Sequence, residues 1–439
     1  MTLEENFQEF CQNIMLDNIE DMKKTAGEIA KKLNKEYYDI ENDNESHIYI
    51  VGSVGRETAI HGSSDLDIIF DLPNYIYKKY DSYESNGQSA LIQEIKNVML
   101  TRYPKTDIRG DGQVVVIEFN KYTVELVPGF KQTDDRFKYP DTHDNGSWKY
   151  TDPLSEQSEC QNCNDESSDL YYDFCHIVRS WRNQVGFKMG GLLIDTLVYD
   201  FFQDNDCFSD TESISYLLIL KDLYKYLKEQ DKDRSYWYAV GSNQQVYNSD
   251  NGAFVSKAKK AYKLLEDIDE SSEDINEILI SLLGSDFPKA EDNIIENMNY
   301  ISITKRDELG TNTEQFIDKL YPLDIRYELK IDCMVTQDGW RPFQLLNYLK
   351  SGSKYLRRNQ KLDFYIVKTD CPYPYEISWK VRNVGEEAIK RKMIRGEIIK
   401  TDRNHQYEHT DFYGPHFVEC YLVKNGVCVA RDKIDVPIE

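Results

Sequence analysis

Two aspartates one residue apart, Asp65 and Asp67 in "SSDLDIIF", are where residue type and spacing first suggest chemistry. In a strand, side chains alternate, so both carboxylates share one face, about 6–7 Å apart, while Leu66, Ile68 and Phe70 take the other. The apolar set is built for burial, and carboxylates in such a strand are costly unless positive charge sits against them. Oxygen ligands at that separation suit divalent cations. Magnesium in particular keeps several waters and is commonly shared with substrate phosphates.

Upstream, Gly52 and Ser53 close the strand-like run "IYIV". A glycine lets backbone approach a phosphate closely, the N–H groups of a helix start favour an anion, and the serine adds a hydroxyl donor. A phosphate cradle followed about a dozen residues later by Asp-x-Asp is the minimum equipment for nucleotidyl transfer on two metal ions. That chemistry usually wants one more carboxylate from a neighbouring strand. Glu118 in "VVVIEF" and Glu125 in "YTVELVPGF" are both candidates, and periodicity does not choose between them. Asp-x-Asp alone carries little weight: Asp231-Lys232-Asp233 reads as a solvated helix end.

The elements that must position these residues form three blocks. Met15, Ile19, Met22, Ala26, Ile29 and Leu33 step by four and three, which predicts one amphipathic helix over the first 35 or so residues. Strand-like runs follow, with a helical pattern at "SALIQEIKNVMLTRY", giving a mixed α/β block at 1–150. Helical patterns dominate from Ser168 to Met298, which places a helical lobe at 151–310. Short β-like runs then define an all-β module at 320–439, with Asn-Gly in "VKNGVCV" suited to a type I′ hairpin turn. The fold class is α+β.

The formal charge of −24 argues against strong non-specific nucleic-acid binding, which depends on Lys and Arg neutralising phosphates. Nine scattered cysteines read as reduced thiols. The single CxxC, Cys160 and Cys163, reads as a polar loop in preference to a zinc site completed by Cys175 and His176. The acidic start lacks the pattern of a signal peptide and no apolar run reaches membrane-spanning length, so a cytoplasmic chain with no membrane partner is expected.

"GSVGRETAIHGSSDLDIIF" resembles the signature of the polymerase β-like nucleotidyltransferases, and in detail that of the bacterial cGAS/DncV-like enzymes (CD-NTases). "VELVPGF" is similar to that family's third-acid strand, so the resemblance assigns the third metal ligand to Glu125. "GSWKYTDP" is similar to the segment after that strand. "FCHIVRSWRN" resembles a family helix whose basic residue, here Arg179, contacts the triphosphate. "KMGGLLID" stands where relatives often carry Ser-Tyr, leaving Lys188 as a phosphate contact. The C-terminal runs resemble the adenylyl/guanylyl cyclase and SMODS sensor module. Within it, Trp379, His416 and Arg431 read as structural in preference to ligand contacts.

The resemblance implies a template-independent synthase of a cyclic di- or trinucleotide second messenger in anti-phage defence (CBASS). It would use nucleoside triphosphates and two Mg2+ or Mn2+ ions on Asp65, Asp67 and Glu125, with Gly52 and Ser53 on the phosphates. Its implied partners are a downstream effector that binds the product and an activating ligand at the C-terminal module. Three rivals are a linear synthase of the 2′-5′ oligoadenylate type, an enzyme that transfers a nucleotide to RNA or protein, and a nucleotide-binding sensor without turnover. The acidic composition disfavours RNA as acceptor. An intact acid triad argues against the sensor, because carboxylates that repel one another have no structural reason to cluster.

Overall fold

The N-terminal stripe forms two helices, α1 (Leu3–Asn13) and α2 (Ile19–Tyr38), where one was expected. Between them, the Ile14 carbonyl accepts a bond from the His61 N–H (2.8 Å) and Met15 bridges Ile60, so this backbone pairs with 60–61 and leaves the helix. Met15 is accordingly 57% exposed, while Met22, Ala26, Ile29 and Leu33 are buried.

A computed structural model describes residues 2–63, 65–204, 215–288, 314–337, 339–352 and 355–439. The chain divides into two compact units, Cys11–Ser180 with Gly190–Tyr262, and Met1–Phe10 with Trp181–Met189 and Lys263–Glu439.

In the first unit, β1 (Ile48–Ile50) runs into a short helix, α3 (Gly52–Gly55), and then β2 (Asp65–Asp71). Two helices follow, α4 (Asn74–Asp81) and α5 (Gly87–Arg102). The sheet is completed by β3 (Asp107–Asp111), β4 (Val114–Glu118), β5 (Thr123–Lys131), β6 (Phe137–Asp141) and β7 (Ser147–Thr151). Strand order is β1-β2-β5-β4-β3, with β6 and β7 continuing from β5. β2 and β5 are parallel and the other pairs antiparallel. Alternation along β2 sends Leu66, Ile68 and Phe70 into one core with the α2 stripe and with Leu91, Ile95 and Met99 of α5. On the opposite face, Ile69 packs with Val51 and Phe137.

The helices that follow are α6 (Pro153–Glu166), α7 (Leu170–Val185), α8 (Gly191–Gln203), α9 (Tyr216–Glu229), α10 (Ala253–Leu265) and α11 (Ile275–Leu283). A two-stranded hairpin, β8 (Tyr236–Tyr238) with β9 (Gln245–Tyr247), interrupts them and was not foreseen. The end of the expected helical stretch, 289–298, lies outside the described residues. Cys160 and Cys163 sit on α6, correcting the expected loop, because Asp152 caps the helix by accepting from the Ser155 N–H and Pro153 starts it. Both thiols are buried, and burial raises each to about 12. Cys160 Sγ lies 3.1 Å from the Tyr171 hydroxyl.

In the second unit the C-terminal strands are β10 (Leu329–Thr336), β11 (Phe343–Gln344), β12 (Lys361–Thr369), β13 (Glu376–Arg382), β14 (Ile398–Thr401), β15 (His405–His409), β16 (Gly414–Lys424) and β17 (Val427–Ile438). They form two four-stranded sheets, β11-β10-β12-β15 and β14-β13-β16-β17. Ile331, Cys333 and Phe364 from one and Trp379, Cys420 and Val436 from the other share a core, the signature of a sandwich. Asn425 (φ 52°) and Gly426 (φ 78°) form the tight β16–β17 turn, as type I′ requires. Trp379 is buried in that core, His416 accepts from the Val384 N–H and donates to the Phe412 carbonyl, and Arg431 pairs with Glu419 at 2.9 Å.

Trp181–Met189 belongs to this unit as well. Arg182 pairs with Asp324 at 3.0 Å, and Asn183 donates to the Leu323 carbonyl and accepts from the Ile325 N–H. Arg182 is buried, so removing its carboxylate partner alone leaves a cation without ready access to water. We therefore expect Asp324→Ala in the full chain to lose about 3–5 kcal/mol, the cost of breaking a buried pair from one side. Thermal or urea unfolding of that variant checks this, and a midpoint equal to that of the wild type would refute it.

Candidate active site

The two aspartates project from β2 as alternation dictates, both half-buried beside fully buried Leu66 and Ile68. β5 lies next to β2 in parallel register, with Asp67 opposite Glu125 and Asp65 opposite Thr123. Neighbouring strands are about 4.8 Å apart, so Glu125 and Asp67 are adjacent on one face. Glu118 is on the same face but one strand further out, opposite Thr123, and it is ion-paired with Arg109 of β3. Register therefore distinguishes two acids that periodicity could not.

Gly52 and Ser53 open α3 directly above this face. The Val51 N–H donates to the Asp67 carbonyl at 2.9 Å. Gly52 has φ +64°, and a Cβ built there would lie 1.9 Å from Asp67 Oδ2. Only glycine lets the turn approach the carboxylate this closely. Among the described residues no group of three or more His, Cys, Asp or Glu side chains is placed to hold a metal ion by itself. The arrangement still fits a hard divalent ion. All donors are carboxylate oxygens, and magnesium does not need an all-protein cage because it shares waters and substrate phosphates.

The turn is anchored from behind by residues that sequence reasoning overlooked. Arg56 reaches Asp195 of α8 at 2.9 Å and Glu156 of α6 at 3.0 Å, and Thr58 donates to Asp195 at 3.0 Å. Arg179, expected at the triphosphate, lies here. It is only 3% exposed, pairs with Asp195 at 2.6 Å, and donates to Thr58 Oγ1 and to the Gly191 and Cys175 carbonyls. Burial alone would raise the Asp195 carboxyl, but Arg179 and Arg56 outweigh it and pull it down to about 2. His176 is neutral at pH 7, since burial and then Arg179 lower it to about 4, and it bonds the Glu57 carbonyl. One signal was available: Asp195 is an acid inside the apolar run "GLLIDTLV", and such a residue is rarely buried unless paired. Lys188 belongs to the second unit, where it pairs with Asp370 at 2.8 Å.

Residues 1–164 match the model of the Second Messenger Oligonucleotide or Dinucleotide Synthetase domain, and residues 311–439 that of the Adenylyl/Guanylyl and SMODS C-terminal sensor domain. A cytidylate cyclase of Staphylococcus aureus is 30% identical over 162 residues, 31% of this chain and 37% of the relative. The chain thus spans just over a third of that relative's length. Among solved structures, the E. coli MS115-1 CdnC:HORMA-deltaN complex matches with TM-score 0.50 and 12% identity, covering 65% of this chain and 98% of that one. The same CdnC with ATP gives TM-score 0.50 and 13% identity, covering 66% and 99%. At such identity the likeness speaks for the fold, a polymerase β-like lobe in an α+β chain.

Proposed function

We propose that this chain is a cGAS/DncV-like nucleotidyltransferase (CD-NTase) that joins nucleoside triphosphates into a cyclic di- or trinucleotide without a template, a reading supported by the synthetase-domain match over 1–164 and the sensor-domain match over 311–439. The observation that carries the reading is the β2–β5 register, with Glu125 beside Asp67, Asp65 on the same face, and the Gly52 turn against the Asp67 carboxylate.

In this reading a ribose hydroxyl attacks an α-phosphorus in line and pyrophosphate leaves. Asp65, Asp67 and Glu125 would hold two magnesium or manganese ions. Bound there, such ions would supply activation of the attacking hydroxyl and neutralisation of charge on the leaving group. Gly52 and Ser53 orient the β and γ phosphates. Arg179 and Lys188 are left out of the phosphate contacts, since Asp195 and Asp370 already engage them.

The product would be a second messenger in bacterial anti-phage defence, made in the cytoplasm and read by a downstream effector. The C-terminal sandwich would take the activating ligand. Among the described residues no helix is long and apolar enough to cross a membrane.

The test is mass spectrometry of the products formed from the four ribonucleoside triphosphates with magnesium or manganese, before and after phosphatase. A phosphatase-resistant cyclic species is expected, and its mass names the bases. A phosphatase-sensitive linear ladder would replace this reading with a synthase of the oligoadenylate type.

A further inference from the structure

We propose that Asp195 is a positioning residue for the phosphate turn and that Arg179 acts through it, not on a nucleotide. The proposal rests on the Gly52–Ser53 turn serving phosphate, as argued above. Asp195 and Thr58 are 0% exposed, Arg179 3% and Arg56 5%. Asp195 Oδ2 accepts from Arg56 Nε (2.9 Å), Arg179 Nη2 (2.9 Å) and Thr58 Oγ1 (3.0 Å). Two of these partners also hold the turn through their own backbone. The Arg56 N–H donates to the Gly52 carbonyl at 3.1 Å and the Thr58 N–H to the Ser53 carbonyl at 2.9 Å.

The turn is thus clamped from two directions, by the Asp67 carbonyl on the Val51 N–H and by Asp195 through residues 56 and 58. Charge explains why an ionised acid is needed. Two guanidiniums are balanced by two carboxylates, Asp195 and Glu156. Neutralising Asp195 leaves two buried cations facing one anion, and their repulsion acts on Arg56, the residue nearest the turn. The turn at Gly52 packs close to β2, where a built Cβ would lie 1.9 Å from Asp67 Oδ2, so a shift of Arg56 is passed to the turn beside that carboxylate.

Hydrogen exchange of the full chain carrying Asp195→Asn tests this independently of turnover. Exchange over 52–60 is expected to rise about tenfold or more, while α5 over 91–99 stays at the wild-type rate. Affinity for a non-hydrolysable ATP analogue with magnesium is expected to fall about tenfold or more, since small misplacements of positioning groups are costly. Thr58→Val, nearly isosteric, should shift both readouts the same way by less, and it decides alone if Asp195→Asn does not fold. Wild-type exchange over 52–60 in the folded variants would overturn the proposal. Faster turn exchange in a protein that makes no product from any triphosphate would support it and count against the synthase reading alone.

Discussion

Turnover in the Asp65→Ala, Asp67→Ala double variant is expected to fall by about 10³-fold or more, the scale on which preorganised charge at a reacting centre contributes. The fold should survive. Both side chains leave the apolar face of β2 untouched, and that face alone meets the core formed with α2 and α5. Circular dichroism and the melting temperature check the second half of the statement. Magnesium should raise the melting temperature of the wild type and not of the variant, because a ligand stabilises only the state that binds it.

The same experiment separates the two glutamates. Glu125→Gln should approach the double variant in severity, since its register partner is Asp67. Glu118→Gln should stay within a few-fold of wild type, because its carboxylate is ion-paired with Arg109 on the outer strand and such half-exposed pairs contribute about 0–1 kcal/mol. A severe Glu118 variant beside an active Glu125 variant would reverse the assignment.

Gly52→Ala is expected to cost about 10²-fold or more in kcat/KM, a magnitude set by misplacement at a preorganised centre. Two effects act together. A Cβ at φ +64° is itself strained by about 1–2 kcal/mol. It would also lie 1.9 Å from Asp67 Oδ2 and 2.9 Å from Asp67 Cβ, so rotating the carboxylate away does not relieve it and the turn or β2 must move. Gly190→Ala is the control, as a Cβ there meets nothing within 4 Å. Steady-state kinetics of the two variants, with their melting temperatures, measure the contrast; equal activity would show that the turn does not need its close approach to Asp67.

Much of this was legible in the chain itself. Alternation around Asp65 and Asp67, the Asn-Gly hairpin and the α2 stripe are consequences of local periodicity, which a sequence displays directly. The single long N-terminal helix was misread because the pairing of Ile14 and Met15 with residues 60–61 is non-local and leaves no periodic trace. The CxxC was misread as a loop because polar composition outweighed the Asp152-Pro153 start signal.

The sequence by itself determined on which face of a strand Asp65 and Asp67 stand, the residues proposed to hold metal. That follows from the two-residue repeat of β structure, which needs no tertiary information. Only the tertiary structure decided which glutamate stands beside Asp67, because strand order and register are set by packing between segments far apart in the chain. It likewise decided that Arg179 is buried against Asp195 and not presented to solvent. A buried cation takes whatever carboxylate the fold brings to it, and no spacing along the chain encodes that meeting.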